Sequence, residues 1–72
     1  MSFAKNHGPL IETGEFDGFT YEVRGNMEPV VHVYREVSGK LYEKQTQKGS
    51  LPVEVVARML ISEMPKAAKE AA

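Results

Sequence analysis

The fold is decided by the stretch Val30–Met64, which reads VVHVYREVSGKLYEKQTQKGSLPVEVVARMLISEM. Its first part, Val30–Val37, is rich in β-branched and aromatic residues, a composition typical of a strand. Ser38-Gly39 interrupts this pattern with residues suited to a tight turn. The following residues, Lys40–Gln47, then predict the returning strand of a β-hairpin.

From Pro52 onward the apolar spacing becomes that of an α-helix. The inward-facing positions of this helix are predicted to be Val53, Val56, Ala57, Leu60 and Met64. Pro65 disfavours helical geometry in the residue before it and lacks an N–H donor, so the helix should end near Glu63. Residues 65–72 are then expected to form a frayed or partner-dependent tail.

An earlier strand is predicted at Phe19–Arg24, where apolar and polar residues alternate. Residues 1–15 are expected to be mostly irregular, with Leu10-Ile11 as their only strand-like pair. The fold class is therefore predicted as α+β, in one domain of residues 1–72. Its architecture would be a three-stranded antiparallel β-meander with one C-terminal α-helix packed on one face (βββα).

A two-residue turn at Ser38-Gly39 would pair Val37 with Lys40 and Arg35 with Tyr42. We expect the face that carries most of the valines to be the core: Val31, Val33 and Val37, together with Tyr42. The opposite face would then be solvated and is a candidate binding surface: Val30, His32, Tyr34 and Leu41. A longer loop or a β-bulge would reverse part of this assignment.

The composition is that of an ordinary small globular domain. The chain has 72 residues, 42% of them hydrophobic and 26% charged, with a net charge of −1. A domain of this size buries a small core, so a second subunit is one way to add stability, and a homodimer is an alternative to a monomer. Because the chain is not basic overall, only a local basic surface could bind nucleic acid.

The chain contains no cysteine, which excludes disulfides and thiolate chemistry and fits a reducing compartment. No segment approaches the ~20 apolar residues that span a bilayer, and the N-terminus lacks a signal-peptide pattern. We therefore expect a cytoplasmic protein without membrane contact.

No catalytic, cofactor or metal motif is present in the sequence. His7 and His32 lack the spacing of metal ligands, and no hydroxyl has a plausible neighbouring base. His32 is expected to lie on the solvated face of the sheet rather than in a reactive site. The sequence therefore predicts a protein that is not an enzyme and needs no cofactor.

Lysines and one tyrosine share a side of the third predicted strand, because residues two apart in a strand project in the same direction. With a nearby arginine they form a candidate nucleic-acid surface: Arg35, Lys40, Tyr42, Lys44 and Lys48. Lysines on an edge strand also prevent unwanted sheet pairing, and this reading is favoured. The order of strands and helix occurs in double-stranded RNA-binding and AP2-like domains, whose diagnostic motifs are absent here.

The predicted helix carries more apolar residues than one small sheet requires, namely Val55, Met59 and Ile61 in addition to its inward set. The surplus is explained either by a broad contact with the sheet or by a contact with another chain. The sequence therefore predicts a small, non-enzymatic protein–protein interaction module. It would be a regulator, inhibitor or assembly subunit of bacterial or phage type. Its partner would be another protein or a second copy, and the alternative is a small nucleic-acid-binding protein.

Overall fold

The computed structural model describes residues 8–25 and 27–70. The elements follow one another as β1 (Leu10–Phe16), β2 (Phe19–Arg24), β3 (Val30–Val37), β4 (Lys40–Gln47), α1 (Val53–Ser62) and α2 (Lys66–Lys69). The strands form one four-stranded sheet in the order β1-β2-β3-β4, with every neighbouring pair antiparallel. The molecule is therefore an α+β fold, a β-meander followed by C-terminal helix.

The predicted number of strands was wrong by one, because Leu10–Phe16 forms the strand β1 beside β2. This strand is exposed over most of its length and has little apolar alternation, so its sequence signal is weak. Its pairing with β2 places Gly14 opposite Tyr21, whose ring lies across the glycine. The Tyr21 side chain of β2 thus covers position 14 of β1, where glycine has no side chain of its own.

The β1–β2 and β3–β4 turns each consist of two residues with positive φ. Asp17 and Gly18 have φ values of 55° and 83°, and Ser38 and Gly39 have values of 53° and 83°. This is the signature of a type I′ turn, whose twist matches that of the flanking strands. The predicted β3–β4 register is confirmed, since Val37 pairs with Lys40 and Arg35 with Tyr42.

The core lies between α1 and the face of the sheet that carries the valines, as predicted. Val31 and Val33 are 0% exposed, and Val56 of α1 is equally buried. The other buried apolar residues are Phe19, Val23, Ala57, Leu60, Ile61, Met64 and Ala68. Ile61 was a candidate contact residue on the surplus apolar side of the helix. The structure corrects this, because Ile61 is only 8% exposed and belongs to the core.

The C-terminal segment returns to the domain after Pro65. Residues 66–69 form the single helical turn α2, and Ala68 is buried. Arg35 of β3 donates a hydrogen bond from Nη1 to the carbonyl oxygen of Ala68 at 3.1 Å. The partner dependence predicted for the tail stays a prediction. No helix within the described ranges is long and apolar enough to span a membrane.

Gly14→Ala is expected to lower the free energy of unfolding by about 1 kcal/mol, at the low end for an added methyl group. A Cβ atom at Gly14 would lie 2.7 Å from the hydroxyl oxygen of Tyr21 and 2.8 Å from its ring, which must move. Urea denaturation measures the change. In a Tyr21→Ala background the same substitution should cost much less, and an equal cost in both backgrounds would contradict this account.

Candidate functional site

One face of the sheet packs against α1, and no helix within the described residues covers the other. We call the second face the open face. Strand register assigns these residues to it: Thr20, Glu22 and Arg24 of β2; Val30, His32, Tyr34 and Glu36 of β3; Leu41, Glu43, Gln45 and Gln47 of β4. The predicted sheet contact residues Val30, His32, Tyr34 and Leu41 are thus brought together on this face.

Polar contacts link side chains of β2, β3 and β4 on the open face. Arg24 Nε lies 3.1 Å from Glu22 Oε1, and the Tyr34 hydroxyl donates to Glu22 Oε2 at 3.3 Å. His32 Nε2 lies 2.8 Å from Glu43 Oε1. Burial, with a further contribution from the Glu22 carboxylate, raises the pKa of the Tyr34 phenol above its ordinary value. Much of this face is therefore already engaged within the molecule.

His32 was expected to be solvated, and this prediction was wrong because the residue is only 3% exposed. It lies between Glu22 on β2 and Gln45 on β4, its partners in the strand register. Its ring also lies 5.1 Å from the ring of Tyr34, measured between centroids. Glu22 and Gln45 come from strands other than β3, so the spacing of apolar residues along β3 gave no sign of the burial.

The two other apolar or aromatic candidates on β3 are also partly covered. Val30 and Tyr34 are half-buried, whereas Leu41 near the β3–β4 turn is 52% exposed. Of the predicted sheet contacts, Leu41 therefore offers the most accessible apolar surface. On β2, β3 and β4 the open face is mainly polar, and Leu41 is its most exposed apolar residue.

The outer side of α1 is different, because large apolar side chains follow one another at intervals of four residues. Leu51, Val55 and Met59 are 44%, 45% and 44% exposed. Val55 and Met59 lie one helical turn apart on one side of α1, and Leu51 comes just before the N-cap residue Pro52; we call these three exposed residues the α1 stripe. Leu51 was not predicted as a contact residue, because it lies before Pro52 and outside the helical pattern.

Charged side chains border the α1 stripe. Arg58 Nη2 lies 3.2 Å from Glu54 Oε2, an exposed pair one helical turn apart. The guanidinium of Arg58 also lies 4.8 Å from the centre of the Phe16 ring. An apolar centre with a charged border is the usual anatomy of a protein–protein contact.

The candidate nucleic-acid residues lie on the same side of the sheet as α1. Arg35 is committed to the Ala68 carbonyl, and its guanidinium lies 5.5 Å from the centre of the Phe19 ring. The half-buried Tyr42 packs against the core, and the Lys40 ammonium lies 5.1 Å from its ring centre. Lys44 and Lys48 are also half-buried. This arrangement leaves little of the Tyr42 ring for stacking on a base.

A shallow groove separates the end of β1 from the start of α1. Its polar lining includes the carboxylates of Glu12 on β1 and Glu54 on α1, together with Tyr21 of β2. The Tyr21 hydroxyl donates to Glu12 Oε2 at 3.0 Å, and this hydrogen bond is the main reason that the pKa of the phenol is raised. Within the described ranges, no three His, Cys, Asp or Glu side chains converge as metal ligands.

Arg35→Met is expected to loosen α2, because it removes the hydrogen bond to Ala68 while keeping the aliphatic stem. Amide hydrogen exchange should become faster at Ala68, Lys69 and Glu70, whose N–H groups form the bonds of this turn. The control is Lys66→Met, which removes only an exposed pair with Glu70. Equal protection in wild type and Arg35→Met would show that α2 does not depend on this contact.

Comparisons of the chain with protein-family models, with curated proteins and with solved structures gave no significant match.

Proposed function

We propose that this protein is a small, non-enzymatic protein–protein interaction module and that the α1 stripe is its principal contact surface. The observation that carries the proposal is the exposure of Val55 and Met59 on one side of α1, together with that of Leu51 just before the helix. The inward side of α1 already fills the core, so these residues do not serve the packing of the sheet. A partner that covers them would remove contiguous apolar surface from water.

The composition of the α1 stripe indicates the kind of partner. Met59 is unbranched and adapts to differently shaped surfaces, whereas Val55 is stiff and fixes the centre of the stripe. The Glu54–Arg58 pair lies at the border, where it can remain hydrated in a complex. The expected partner is therefore a protein with an apolar groove or helix face edged by polar groups.

Such a contact suits a regulator, an inhibitor or an assembly subunit, each of which acts by occupying a surface of another protein. The exposed Leu41 on the open face is a secondary contact candidate in this proposal. The proposal also includes a cytoplasmic location and a bacterial or phage origin for the protein. The absence of cysteine from the sequence supports a reducing compartment.

The double variant Val55→Glu/Met59→Glu is expected to lose its partner, because two carboxylates would be desolvated in an apolar contact. Immobilised wild type and variant would be incubated with extract of the organism that encodes the chain, and retained proteins quantified by mass spectrometry. We expect at least one protein to be retained by wild type and reduced at least tenfold by the double variant.

The matched control is Ala67→Glu, which adds a carboxylate at an exposed position of α2. It should retain the same proteins as wild type. Circular dichroism and thermal unfolding would show that all three proteins are folded, since exposed substitutions change stability little. Identical sets of retained proteins on wild type and the double variant would contradict the role of the α1 stripe.

Nucleic-acid binding is a second candidate, because strand register places Lys40 and Lys44 on the same side of the edge strand β4. It predicts an affinity that falls steeply with salt, as phosphate contacts release counterions. Lys40→Gln and Lys44→Gln should each reduce the salt slope by about one. Fluorescence anisotropy with mixed DNA and RNA oligonucleotides measures this, with Lys66→Gln as the control. Absent or salt-insensitive binding would exclude this function.

A further inference from the structure

We infer that the outer edge of β4 pairs antiparallel with the same edge of a second copy of this chain. The pairing would join two four-stranded sheets into one continuous sheet. This edge is distinct from the α1 stripe, so the inference stands or falls independently of the proposed function.

The hydrogen bonds of the β3–β4 hairpin show which backbone groups of β4 point outward. Val37 and Lys40 close a two-residue turn, and the Lys48 N–H donates to the Pro29 carbonyl at 2.8 Å at the other end. Bonded and non-bonded pairs alternate along an antiparallel ladder. The groups directed away from β3 therefore belong to Leu41, Glu43, Gln45 and Gln47. No strand of the described residues pairs with them.

The two edges of the sheet differ in their ability to extend the ladder. On β1 the register shifts between Leu10 and Glu12, and such a bulge is a common means of protecting an edge. The β4 register runs without a shift over all of Lys40–Gln47, and this strand contains no proline. β4 is consequently the edge that can accept another strand.

Charge disfavours the two symmetric registers next to the one with its axis at Gln45. A two-fold axis at Glu43 would oppose two glutamates, and an axis at Lys44 would oppose two lysines; like charges directly opposite each other are destabilising. An axis at Gln45 instead places Lys44 opposite Thr46 of the second copy. In the same register Glu43 faces Gln47. The sequence favoured a role for the lysines of β4 in preventing sheet pairing, whereas in this inference they discriminate between registers and leave one pairing open.

Gln45 supplies a second reason for this axis. Its Oε1 is buried and accepts no hydrogen bond from the described residues. Buried amide oxygens are normally paired, so this side chain gains by turning toward a donor. At a two-fold axis through Gln45, the amide of the second copy supplies that donor, and the two amides satisfy each other.

The helices leave room for this arrangement. The two-fold axis is perpendicular to the sheet, so both copies of α1 would lie on the same side of it. Since α1 lies mainly over β3, the two helix axes would be separated by three strand spacings, about 14 Å. Packed helices are about 8–10 Å apart, so the helices would not collide.

The test combines solution mass with cysteine cross-linking in this naturally cysteine-free chain. In sedimentation equilibrium over a wide concentration range, wild type should rise from 8.0 kDa toward twice that mass. Gln45→Cys should form a disulfide-linked dimer on mild oxidation, because opposed Cα atoms are about 5.5 Å apart. Gln47→Cys is the matched control, since its own copies would be about 13 Å apart.

Gln45→Pro should remain folded by circular dichroism and become monomeric, because it removes an N–H that points away from β3. Val55→Glu/Met59→Glu should leave the dimer intact and so separates this contact from the α1 stripe. A monomeric wild type at every concentration would overturn the inference. Equal cross-linking of Gln45→Cys and Gln47→Cys, or a dimer that survives in folded Gln45→Pro, would also overturn it.

Discussion

The structure depends on the contact between the valines of β3 and the inward side of α1. Val31, Val33 and Val56 are all completely buried, and each contributes roughly 1.5–3 kcal/mol when removed from water. In a 72-residue chain without cysteine, no disulfide adds to this core. Val31 and Val33 therefore determine which face of the sheet α1 covers. That choice in turn defines the open face, the exposed side of α1 and the position of β4 as an edge.

The same contact protects the strand register. A shift of one residue in β3 would move Val31 and Val33 to the open face and bring His32 under the helix. The type I′ turn at Ser38-Gly39 opposes such a shift, because it allows only Val37 and Lys40 to close the hairpin. The contacts of His32 with Glu43 and Tyr34 are a consequence of this register rather than its cause.

The sequence was informative where a signal is local and less informative where burial arises between strands. The β3–β4 hairpin and the inward positions of α1 follow from turn chemistry and apolar spacing, and the structure confirms both. Beyond Leu10-Ile11, β1 was not recognised, because the strand is exposed and has little apolar alternation; that Tyr21 of another strand covers its Gly14 is not visible in the sequence. The burial of His32 likewise depends on residues of β2 and β4. Ile61 remained a candidate for contact with another chain, because helical spacing alone does not show that the core extends to Met64 and Ala68. The contact candidates Val55 and Met59 are exposed as expected, while their role stays a prediction.

The open face, the α1 stripe and the outer edge of β4 differ in the kind of interaction that they can make with a partner. The open face satisfies much of its polarity internally, through Glu22 and Glu43. The α1 stripe exposes apolar side chains, which many different partners could bury because hydrophobic contact is not directional. Within the part of the chain that the structure describes, no strand pairs with the outer edge of β4, and a ladder accepts only a strand in register. In a dimer paired through β4, both copies of the α1 stripe would lie on the same side of the joined sheet. A partner with two matching surfaces would then bind both, so that even a weak contact through each stripe would give a strong combined affinity.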